Sequence, residues 1–203
     1  MNFFYRLNYT FIYINQKQTF MLRIPRNWNQ KNRKRTVSQT ASAIASNIWK
    51  LSSKCLLNLE NEGFDTHTIA QRLDVIQEIA AFLIHIVDRH AYKEFEEEKR
   101  LILINDISQS CANLMHNSRL EIDGESDHRK MFIEKLNIRL DEYAHDGYEN
   151  EGPGFAMKRS LGNNIMAIMG ETDNKWIPTY VIDQEVPKLM VSFGRVLNSF
   201  VKQ

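Results

Sequence analysis

Residues 69–87 read IAQRLDVIQEIAAFLIHIV, and this stretch decides the fold. Ile69, Leu73, Ile76, Ala80, Leu83 and Val87 recur in steps of four and three, while Val75, Ile79, Phe82 and Ile86 form a second stripe alongside. That spacing is the period of an α-helix, in which about 3.6 residues complete a turn. A surface helix needs one apolar stripe. Two adjacent stripes call for a wide buried arc, which places this helix at the centre of a bundle. Its longest apolar stretch, Ile79 to Val87, is broken by His85 and falls well short of the roughly 20 residues that span a bilayer. A cytoplasmic protein without a membrane span is therefore expected.

Outward from this helix, the same period continues. Asp65 is placed as its N-cap and His90 near its end. Before it, Ile44, Ile48, Leu51, Cys55 and Leu59 define a helix over 38–61 that stops at Gly63. After it, the charged YKEFEEEKR of 92–100 reads as a solvated turn or an exposed helical start. Ile104, Ile107, Cys111, Leu114 and Met115 then mark a third helix ending near Arg119. A polar loop over 121–128 precedes a fourth helix carrying Phe132, Ile133, Leu136, Leu140 and Tyr143. Pro153 is placed to open a fifth, through Leu161, Ile165, Ile168 and Met169 to Gly170. A sixth, from Pro178 to Val201, sets Val186, Leu189, Phe193, Val196 and Phe200 inward, with a kink or restart at Pro187 near Asp183 or Gln184. No alternating strand pattern and no internal repeat occur. The expectation is an all-α, up-and-down bundle of about six helices over 38–203, behind an extension of residues 1–37.

Charge separates the same two parts. The 59 residues before Glu60 hold ten basic groups and no acidic one, whereas the remainder holds sixteen basic and twenty-five acidic groups. Residues 1–20 are aromatic-rich, with Arg6 and Asn8 interrupting any signal-peptide core, and Met21 is a candidate for the true start. Arg23, Arg26, Lys31, Arg33, Lys34 and Arg35 then cluster around Trp28. Such a cluster attracts polyanions through counterion release, so nucleic acid or an anionic membrane surface is a candidate partner of this basic, poorly structured arm. Cys55 and Cys111 have neither CxxC nor finger spacing and are read as reduced core thiols.

Candidate chemistry is sparse. Asp74, Glu78, Ala81, His85 and Asp88 share one face of the central helix, and Glu142 and His145 form a Glu-x-x-His pair of the kind that ligates metals in carboxylate bundles. Glu78, His85, Asp88, Glu142 and His145 are thus the candidate ligands of a divalent metal, provided that the polar face of the central helix turns toward the fourth helix. A second such pair, Glu125 and His128, falls in a loop. The acidic residues from Glu121 to Asp127 fail the EF-hand pattern, with Ser126 and Phe132 where Gly and Glu belong. Met157, Met166, Met169 and Met190 are core fillers by default. No GxSxG, Walker loop, GxGxxG or HExxH motif occurs. The expected function is a non-enzymatic module for protein interaction or self-association, with a metal-dependent bundle enzyme as the competing reading.

Overall fold

The computed structural model describes residues 36–149, 152–170 and 174–201, with side chains to residue 198. Six of the arm residues named above, from Arg23 to Arg35, lie outside the described residues. From Thr36 onward the described residues form one compact unit. It is an all-helical bundle: α1 Val37–Asn61, α2 Ile69–Glu94, α3 Glu97–Asp123, α4 His128–Asp146, α5 Phe155–Met169, α6 Ile177–Tyr180, a π-helical turn Val181–Glu185, and α7 Val186–Val201. The last three run end to end with helical backbone angles at both junctions, making a sixth rod.

The central position of α2 follows from its composition. Leu73 and every residue from Val75 to Val87 are buried, and α1, α3, α4 and α5 all pack on it. Phe82, Leu83, Ile76 and Ile79 have no exposed surface. Each such side chain contributes on the order of 1.5–3 kcal/mol when removed from water. The helix starts later than Asp65 suggests. Thr68 is the N-cap and its hydroxyl accepts from the Gln71 amide at 3.0 Å, while the Asp65 amide donates instead to Asn174 Oδ1. The buried Asn174 also donates to the Met169 carbonyl at 2.8 Å, tying the end of α5 to the segment entering α2. Gln71 strengthens the same junction by donating to the Ile168 carbonyl.

Other boundaries shift for similar local reasons. Thr36 and Gln39 form a reciprocal capping box that opens α1. α3 runs four residues past Arg119, and the Arg119 guanidinium pairs with Asp123 at 2.7 Å in its last turn. Asp127 caps α4, so Glu125 lies in the preceding turn and His128 is the first helical residue, its Nε2 2.9 Å from the Gly124 carbonyl. Pro153 does not open a helix. Tyr148–Glu149 and Gly152–Pro153 form a minimal antiparallel ladder, and Gly154 caps α5. On α7 Val186, Leu189 and Phe193 are buried as expected, Leu197 is buried as well, and Val196 is half-buried; the Phe200 side chain lies outside the described residues.

Pro187 neither breaks nor restarts the last rod. A proline lacks the N–H that a continuing α-helix needs, and its ring meets the carbonyl four residues earlier. The turn ahead of it is widened instead: the Val186 amide reaches back five residues to the Val181 carbonyl. This π-helical turn absorbs one additional residue while the backbone angles at both of its ends stay helical. The front of this rod lies unusually near α5. A Cβ added to Gly162 would stand 2.6 Å from Pro178 Cα, so only glycine permits this approach.

Candidate functional site

The polar face of α2 does turn inward, and arginines meet it there. Glu78 is completely buried, and Arg139 of α4 grips it with both ends of its guanidinium, at 2.6 and 3.0 Å. Lys135 adds a contact at 3.0 Å. The third Arg139 nitrogen reaches Glu142 at 2.9 Å, which also accepts from Asn164 of α5 at 3.1 Å. Burial opposes the charge on Arg139, but its bonds to Glu78 outweigh that and hold its proton more tightly than usual. Higher on the same face, Asp88 pairs with Arg100 of α3 at 2.6 Å; lower, Asp74 pairs with Arg119.

His85 faces the Tyr143 ring, with centroids 5.8 Å apart, and Phe82 meets that ring edge-on. Burial pushes the imidazolium down to about 4, the nearby Arg89 adds to this, and Asp88 and Asp146 oppose it. The ring is therefore neutral at physiological pH. Burial, with the charges of Glu78 and Glu142, likewise raises the Tyr143 phenol far above its ordinary range. His145 is exposed and sits on its own helix, its Nδ1 2.8 Å from the Asp141 carbonyl.

The five candidate metal ligands therefore do not converge. Glu78 and Glu142 are brought together, but around the Arg139 guanidinium. Asp88 is held by Arg100, and His145 points to solvent. Among the described residues, no group of three or more His, Cys, Asp and Glu side chains is placed to hold a metal ion. What the face does chemically is bind α3 and α4 to α2 through charge pairs, of which the one at Glu78 is removed from water and those at Asp74 and Asp88 are partly exposed. At Glu78 the attraction is offset by the cost of taking both ions out of water, so the pair adds little net stability while intact. The arginines were not singled out from the sequence. The available signal was the spacing of Lys135, Arg139 and Glu142 on α4, where a cation every four residues borders the buried Leu136 and Tyr143.

A second polar centre lies at the π-helical turn. Glu185 ends that turn and is only 1% exposed. Its two oxygens accept from Asn58 Nδ2 of α1 at 2.8 Å and from Lys188 Nζ at 3.0 Å. Beside it lies the buried Cys55 thiol, raised well above its usual range first by burial and then by the Glu185 carboxylate. Both cysteines are free and buried, and burial alone raises Cys111 to about 12, so neither is an activated nucleophile. Leu51, Lys54, Pro187, Leu189 and Val191 complete an open cleft of about 440 Å³ between α1 and α7. Sequence reading missed this site because it depends on the π-helical turn, which rotates Glu185 toward α1.

Among the described residues no helix is long and apolar enough to cross a membrane. Searches against family models, curated proteins and solved structures found no match for the chain.

Proposed function

We propose that this bundle is a non-enzymatic interaction module that pairs with a second copy of itself through the outer face of α4. The observation that carries the reading is the exposure of Met131 and Ile138, 54% and 60%, two large apolar side chains one heptad apart on one helix. Leaving them in water forgoes burial that a partner helix would supply. The face is also self-complementary. An antiparallel pairing centred between residues 134 and 135 sets Met131 against Ile138 of the second copy and Ile138 against its Met131. Twofold pairing of this kind closes on itself and gives a dimer rather than a filament. The ionic groups of α2 support the non-catalytic part of the reading, since the carboxylates of Asp74, Glu78 and Asp88 are each committed to a cation on a neighbouring helix.

Size-exclusion chromatography with light scattering tests it. The wild-type chain is expected to run as a concentration-dependent dimer, and Ile138→Glu as a monomer with an unchanged helical circular dichroism spectrum. A wild-type chain that stays monomeric at the highest soluble concentration ends the proposal.

A further inference from the structure

We infer that the cleft between α1 and the π-helical turn is a binding site for a small amphiphilic carboxylate, a single acid group on an aliphatic tail. Its volume, about 440 Å³, falls within the roughly 300–1,000 Å³ of small-molecule sites. One wall is apolar: Leu51, Pro187, Leu189 and Val191, the last 61% exposed and so open to cover. The charge at the mouth selects the sign of the ligand. Glu185 is the single acidic lining residue, and both of its oxygens are already occupied by Asn58 and Lys188 within the floor. Lys188 balances it. Lys54, exposed at the rim, has no acidic partner among the described residues and leaves one positive charge over. A ligand carboxylate set against Lys54, with its tail along Val191 and Pro187, meets both features at once.

Lys188 adds a second cation within reach. It is half exposed, its ammonium lies 5.5 Å from the centre of the Tyr180 ring, and it holds Glu185 by one oxygen only. It therefore bridges an incoming carboxylate without abandoning the floor. The face used for pairing on α4 has no part in this site, so Ile138→Glu leaves it unchanged.

The test is titration of the full chain with sodium hexanoate, octanoate and decanoate below their micelle concentrations, followed by calorimetry and amide NMR. Saturable binding is expected, with shifts concentrated at Leu51, Cys55 and Val191. Affinity should rise about fourfold per methylene until the wall is covered. Lys54→Glu should weaken octanoate about tenfold or more, and Lys54→Gln, which removes the charge without reversing it, should weaken it in the same direction. No saturable binding of octanoate at millimolar concentration overturns the inference. So does octylammonium binding as tightly as octanoate, or shifts spread over the whole bundle.

Discussion

His85 shows how much a single side chain depends on its surroundings. In the unfolded chain an imidazole takes its proton near pH 6.5; in the bundle, burial among Phe82 and Tyr143 delays this to about 4. Between these values the unfolded chain binds a proton that the folded one refuses. Stability is therefore complete above pH 6.5 and falls as the pH drops toward 4. The contribution lost between pH 7 and pH 5 is about 2 kcal/mol. His85→Gln should show correspondingly less acid sensitivity over that interval in urea unfolding, and equal slopes for the two proteins would refute the account. The sequence exposed His85 as an interruption of the most apolar helix. It did not show which groups face it, because Tyr143 lies 58 positions farther along the chain.

At the level of elements, the joints rather than the rods carry the information that sequence lacked. Apolar period located all six rods, since each must bury a stripe and periodicity is the direct signature of that need. Capping was harder. Asp65 and Thr68 both suit an N-cap; Thr68 takes that place, and Asp65 lies three residues ahead of it, where its amide donates to Asn174, over a hundred residues away. Pro153 lies before its helix rather than opening it, and Pro187 follows a π-helical turn rather than a restart, for the same reason: a proline says what the backbone cannot do, not which alternative it takes. The contacts between helices are testable directly. Arg139→Met leaves Glu78 buried with Lys135 as its remaining cation, and should cost about 3 kcal/mol in chemical denaturation. Adding Glu78→Leu removes the stranded charge, and the double variant should recover most of that loss. A double variant no better than the single one would mean that Arg139 supports α4 by some route other than this pair.

For the molecule as a whole, α2 is the reference against which the other rods are arranged. It is covered on every side along Val75 to Val87, so opening that exposes its amides must dismantle the bundle. In native-state hydrogen exchange these amides should be the slowest, with protection equal to the global unfolding free energy. Amides of α7, which packs mainly on α1, should exchange through smaller openings. Faster exchange in α2 than in α7 would displace it from the centre. This central role was legible in the sequence because a helix with two adjacent apolar stripes has few other places to go. The binding surfaces were not, since exposure of Met131 and Ile138, and the cleft beside Cys55, are properties of what neighbouring helices leave uncovered.

The π-helical turn has one consequence for how this chain tolerates change. Holding one residue beyond the α-helical count, it gives Pro187 the room that a uniform α-helix denies: excising Gln184 would press the proline ring against the carbonyl four residues before it and break the rod there. The same excision would swing Glu185 away from Asn58 and dismantle the floor of the cleft. The continuity of the rod and the floor of the cleft thus hang on one inserted residue, a dependence that a straight helix would not create.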